Sequence, residues 1–169
     1  MRVAHWLPFA LFLLSAGCAG YRLGPTNGQA AGSKTIQINQ FQNETYEPRL
    51  VEAVATALRR SLQQDGTYQL DTHGNGDIIL SGVIVLYDRD ALTFEPRDVL
   101  TTRDFRITLV AKVSAIDRST GKTVLDREVR GRTLVRTGAD LASAERQAVP
   151  LLAEDLARNI ASLLVDGSW

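Results

Sequence analysis

The chain opens on an apolar run. Val3 to Ala16 is almost wholly apolar, with Trp6, Leu7, Phe9, Leu11, Phe12, Leu13 and Leu14 behind Arg2, and His5 as the main interruption. Such a run is too short for a hydrocarbon core of roughly 30 Å and suits the middle of a signal peptide. Gly20 to Ser33 is rich in Gly, Ala, Pro and Asn and predicts a tether. Alternation begins at Lys34 and runs to Phe41, placing Ile36 and Ile38 on one face of a strand. A polar turn follows, Asn43 to Glu47, and Pro48 suits a first helical position. Val51, Val54, Ala55, Leu58 and Leu62 then recur at three- and four-residue steps. They predict an amphipathic helix to about Gln64, stopped by Asp65-Gly66.

Tyr68 to Leu70 is a candidate short strand, and Asp71 to Gly76 a loop. Asp77 to Tyr87 predicts a long strand with Ile78, Leu80, Ile84 and Leu86 on one face and Ile79, Val83, Val85 and Tyr87 on the other. A strand apolar on both faces is buried on both. Its second face is covered either by another protein or by a helix or loop of this chain. Asp88 to Leu100 reads as a polar excursion. A third strand alternates Phe105, Ile107, Leu109, Ala111, Val113 and Ala115 with polar neighbours. A turn at Arg118 to Lys122, with Gly121 left-handed, leads to a fourth strand from about Thr123 to Arg136. That turn sets a register pairing Lys112 with Glu128, Asp104 with Arg136, Ala111 with Val129 and Ala115 with Leu125. Asp140 to Leu164 carries Val149, Leu152, Leu156, Ile160 and Leu163 at helical spacing, and Pro150 should kink or divide that helix. The predicted fold class is α+β: a small, mostly antiparallel four-stranded sheet with two helices packed on one face, in the order β-α-β-β-β-α.

Composition narrows what such a domain can do. The 169 residues hold 19 basic and 19 acidic side chains, so bulk attraction to phosphate, and with it nucleic-acid binding, is not expected. At 44% apolar, the chain is neither disordered nor a multi-span membrane protein. Its one cysteine excludes an intrachain disulfide and a thiolate-rich zinc site. That cysteine closes Leu14-Ser15-Ala16-Gly17-Cys18, which resembles the lipobox cut by bacterial lipoprotein signal peptidase. The alternative is an ordinary secretory signal with an incidental cysteine. The lipobox reading divides the chain into a signal peptide (1–17), a lipidated N-terminus and tether (18–33) and a single domain (34–169). It implies N-acyl and S-diacylglycerol groups on Cys18 and a membrane held through that anchor, since several acyl chains anchor stably where one does not. Ala19, in place of a retention aspartate, implies the outer membrane, periplasmic face.

Catalytic chemistry finds little footing. His73 sits alone in a Gly/Asn loop, and Asp88 and Asp90 flank Arg89 as a solvated rim would. Gly74-Asn75-Gly76-Asp77 lacks the ligand series of an EF-hand. No catalytic residue, metal or further cofactor is expected. The basic residues are more informative. In the predicted register Arg106, Lys112, Arg130, Arg132 and Arg136 share a face, with Arg89, Arg97 and Arg103 on the connection before the third strand. Guanidinium forks on such a face suit phosphate. Interleaved salt pairs with Asp104, Asp126 and Glu128 are the blander reading, and the residues alone favour it.

Several segments, in order, resemble one family. Cys18-Ala19-Gly20-Tyr21-Arg22-Leu23 is similar to the mature start of the LptE lipopolysaccharide-assembly lipoproteins. The likeness continues through Phe41-Gln42-Asn43-Glu44-Thr45-Tyr46-Glu47-Pro48, Asp117-Arg118-Ser119-Thr120-Gly121-Lys122 and Glu145-Arg146-Gln147-Ala148. The resemblance implies an outer-membrane lipoprotein that plugs and helps assemble a large β-barrel, LptD, and binds lipopolysaccharide without catalysis. It implies lipopolysaccharide contacts near Arg97 and Arg136, to which the shared face adds Arg106, Arg130 and Arg132. A different class with the same anchor and small domain is a periplasmic lipoprotein that binds and activates a cell-wall enzyme.

Overall fold

In a computed structural model of the chain, residues 31–95, 98–136 and 141–166 are described. They form β1 (Lys34–Ile38), β2 (Gln42–Asn43), α1 (Leu50–Asp65), β3 (Tyr68–Asp71), β4 (Ile78–Glu95), β5 (Asp98–Asp117), β6 (Thr123–Arg136) and α2 (Leu141–Asp166). The class is α+β with two helices, as the sequence indicates. The sheet, however, is mixed and six-stranded, in the order β3-β1-β4-β5-β6 with β2 paired to β4.

The added strands follow from the connections. β1 pairs parallel with β3, and α1 is the crossover that parallel neighbours require. Its stripe of Leu50, Val54, Leu58 and Leu62 is buried, and Gly66, at φ 75°, ends it by donating its N–H to the Leu62 carbonyl at 3.1 Å. Pro48 lies two residues before the helix proper. β4 pairs parallel with β1 on the side away from β3, so residues 72–77 must pass over β1. Gly76 makes that passage possible: a Cβ there would come within 2.5 Å of the Gln37 amide nitrogen. Phe41, expected to end the first strand, instead lies in the link to β2. It is buried against Gly82, where a Cβ would meet its ring at 2.2 Å.

The polar stretch 88–100 is not an excursion. β4 and β5 continue through it as a hairpin of 18 and 20 residues, because backbone pairing needs no apolar side chains once the strands leave the core. The β5–β6 register is the predicted one, Lys112 against Glu128 and Asp104 against Arg136, with Gly121 left-handed at φ 67°.

Both helices cover one face. Beneath them lie Ile36, Leu80, Ile84, Ile107, Leu109, Ala111, Leu125 and Val129, meeting Leu152, Leu156 and Ile160 of α2. Pro150 does not divide α2, which runs unbroken to Asp166. At Gly131 the helix touches the sheet: an added Cβ would stand 2.7 Å from the Leu156 amide nitrogen and 2.8 Å from the Leu152 carbonyl oxygen. Asp155 and Asn159 fasten the contact, accepting from the Arg132 N–H at 2.9 Å and donating to the Arg130 carbonyl at 2.8 Å.

Candidate functional site

The face of the sheet turned away from the helices is the principal candidate. A β-bulge between Ile84 and Leu86 decides what stands on it. One inserted residue reverses the alternation of the residues that follow, here as far as Ala91, where the next irregularity falls. Leu86 therefore pairs with Val110 on the uncovered face, and Tyr87 with Leu109 on the helix side, the reverse of the sequence assignment. Leu86 is 46% exposed, whereas Tyr87 packs against the core. Neither helix covers the second face of β4, where Ile79 and Val83 are only partly buried. Ile116 and Leu134 extend this apolar ground at 40% and 68% exposure, and Val110 is buried outside the main core cluster.

Charges cross that face in rows. Asp90 pairs with Arg106 and then Leu134; Asp88 pairs with Thr108 and then Arg132; Val83 pairs with Lys112 and then Glu128. Arg130 bonds Glu128 at 2.7 Å, and Arg136 bonds Asp104 at 3.0 Å. The arrangement brings Arg106, Arg130, Arg132 and Arg136 onto one exposed face, interleaved with carboxylates. Arg97 and Cys18 lie outside the described residues. Among the described residues, no three His, Cys, Asp or Glu gather as metal ligands, and no helix is long and apolar enough to cross a membrane. His73 is exposed in its loop, and Asp88 and Asp90 are exposed on the strand.

A groove that sequence reasoning missed lies beside this face. Past Asn43 the chain leaves β4, the last bond being Glu44 N–H to the Ile84 carbonyl at 2.9 Å. The Asn43 side chain then shapes the departing loop. Its oxygen accepts from the Thr45 N–H at 3.0 Å and hydroxyl at 2.8 Å, while its amide donates to the Glu47 carbonyl at 2.8 Å. This holds Tyr46 fully exposed. Between that loop and residues 85–89 is a cavity of about 580 Å³, walled by Glu44, Glu47, Leu86, Tyr87 and Glu145. Burial, followed by the charges of Glu145 and Glu47, pushes the Tyr87 hydroxyl above its ordinary pKa. Glu145 is ion-paired with Arg89, whose guanidinium is held still more firmly protonated by that bond.

The opposite end of the sheet carries a structural polar cluster. Asp117 accepts from the Ser119 hydroxyl at 2.6 Å, the Lys34 ammonium at 2.9 Å and the Ser119 and Thr120 N–H groups at 3.0 and 3.1 Å. The Ser119 hydroxyl, then Lys34 and the Thr120 amide, hold its carboxyl well below the usual carboxylate range. Arg118 braces the loop over β1, donating to the Gly76 and Gly74 carbonyls at 2.9 and 2.8 Å and to Gln37 at 2.7 Å. The Asp117 to Lys122 segment is thus a self-capped turn that locks the strand ends.

Comparison with known proteins agrees with this geometry. A family model described as LptE, lipopolysaccharide-assembly, matches residues 33–164. A solved protein from Xanthomonas campestris superposes with a TM-score of 0.62 at 9% identity, covering 86% of this chain and 91% of its own. A hypothetical protein from Chlamydia trachomatis gives 0.56 at 10% identity, covering 76% and 94%. A minor lipoprotein from Acinetobacter baumannii gives 0.52 at 17% identity, covering 78% and 92%. At such identities these likenesses establish the fold. No curated protein matches the chain in sequence.

Proposed function

The chain belongs to the LptE family of lipopolysaccharide-assembly proteins, and from that premise we propose that it is an outer-membrane lipoprotein, anchored through acyl groups on Cys18, which seats in and helps assemble a β-barrel of the LptD kind and binds lipopolysaccharide during its insertion into the outer leaflet. The family match over residues 33–164 carries this reading. The uncovered sheet face supports it: a plug needs a surface that is finished only by its partner, and the exposed Leu86, Ile116 and Leu134 offer one. The role requires no bond-making by the chain.

Arg106, Arg130, Arg132 and Arg136 are the described candidates for the lipid phosphates, and Arg97, outside the described residues, is a fifth. Arg130 and Arg136 would exchange Glu128 and Asp104 for phosphate, and a bidentate guanidinium–phosphate pair is strong enough to compete with an exposed ion pair. Depletion of the protein tests the function. The expected result is loss of surface lipopolysaccharide with misassembled barrel; normal surface lipopolysaccharide and normal barrel would refute the proposal.

A further inference from the structure

Among the described residues, the edges at β6, β3 and β4 are treated differently. At β6 the outward backbone groups of Arg130 and Arg132 are taken by Asn159 and Asp155. At β3 the edge is four residues long. At β4 the partners β1 and β2 end opposite Ile84, while the strand continues to Glu95; among the described residues no strand pairs with that edge beyond Ile84. An unpaired strand edge presents alternate N–H and C=O groups, which proteins ordinarily cover or shorten. Here the groove runs beside it instead, and its floor and walls are already built.

The charge of that groove selects an occupant. Glu44, Glu47 and Glu145 line it, and Asp88 adds a fourth carboxylate. Its one lining cation, Arg89, is held by Glu145. Among the described residues Glu44 and Glu47 have no ion-pair partner, so two negative charges are left for an incoming cation. Tyr46, fixed outward by Asn43, and Leu86 supply apolar surface on either side. From these observations we propose that the edge of β4 beyond Ile84 is a strand-addition site, taking an extended polypeptide segment of a partner whose lysine or arginine side chains meet Glu44 and Glu47 and whose alternate apolar side chain lies between Tyr46 and Leu86. Main-chain pairing supplies affinity in such a mode and the side-chain positions supply specificity. The site adjoins the arginine-bearing face, sharing Leu86 and Asp88 with it, but contains none of its arginines and does not depend on the lipopolysaccharide reading.

Three synthetic nonapeptides test it against the full chain in detergent: one alternating lysine and valine, one alternating glutamate and valine, and the lysine peptide N-methylated along its pairing edge. Hydrogen exchange is read across residues 85–91 and at the β6 edge. The lysine peptide is expected to slow exchange in 85–91 and leave β6 unchanged, while the other two leave both unchanged. Glu44→Lys with Glu47→Lys should weaken binding of the lysine peptide about tenfold at low salt, as expected when facing charges become repulsive. Equal binding of the N-methylated peptide would reduce the site to plain charge attraction and overturn the proposal. So would absence of protection in 85–91.

Discussion

Single residues decide whether this domain holds its shape, and two positions make that measurable. Asp117 collects one turn and one strand end on a single carboxylate. Its pKa is depressed in the folded state, so it favours folding above the usual carboxylate range and loses that effect as pH falls through its lowered value. Asp117→Asn should therefore lower the urea midpoint at pH 7, with the gap to the parent narrowing steadily below about pH 4, the ordinary carboxylate value. A pH-independent gap would contradict the account. Gly131 is a packing requirement rather than a turn: Gly131→Ala pushes a methyl into the α2 backbone and should cost about 1–3 kcal/mol in urea unfolding. On the outer face, Arg106→Gln with Arg132→Gln should leave stability within about 0.5 kcal/mol per exposed site. The same pair should sharply reduce retention of lipopolysaccharide in a direct binding measurement. Unchanged retention would remove these two arginines from the lipid site.

At the scale of elements, legibility depended on whether a signal was local. The β5–β6 pairing was readable because Gly121 fixes the turn, and opposite charges then meet at Lys112–Glu128 and Asp104–Arg136. α1 was readable from its stripe and its Asp65-Gly66 stop. The bulge in β4 was not: Ile84, Val85, Leu86 and Tyr87 are all apolar, so either alternation suits the sequence and only pairing with β5 chooses one. β2 has two residues and no period to detect. Tyr68 to Leu70 reads as a strand, but the place of β3 beyond β1 depends on a crossover that only Gly76 marks. The arginine face was legible in membership and not in its neighbours, since Asp90 opposite Arg106 comes from the extended hairpin that composition hid. The bulge gives a clean contrast. Ile84→Glu buries a carboxylate in the core and should unfold the domain or cost several kcal/mol, whereas Leu86→Glu on the open face should cost about 0.5 kcal/mol or less. Thermal melts of the two variants check it, and equal losses would contradict the reversal of faces.

For the whole molecule, the layout assigns its two surfaces different work. Helices and one sheet face make the core, and the other face exposes Leu86, Ile116 and Leu134, which in the proposed role meet the partner. Ala31 and the Asp117 turn lie at the end of the sheet opposite the β4–β5 connection. Cys18→Ser is expected to release the chain from the membrane fraction into the soluble periplasmic fraction while leaving its melting temperature unchanged; retention in the membrane would count against the anchor. Affinity isolation of the full chain from detergent-solubilised outer membranes tests the proposed partnership. One large β-barrel should be recovered in equimolar amount. Recovery of the chain alone, or with a cell-wall enzyme in place of the barrel, would contradict it.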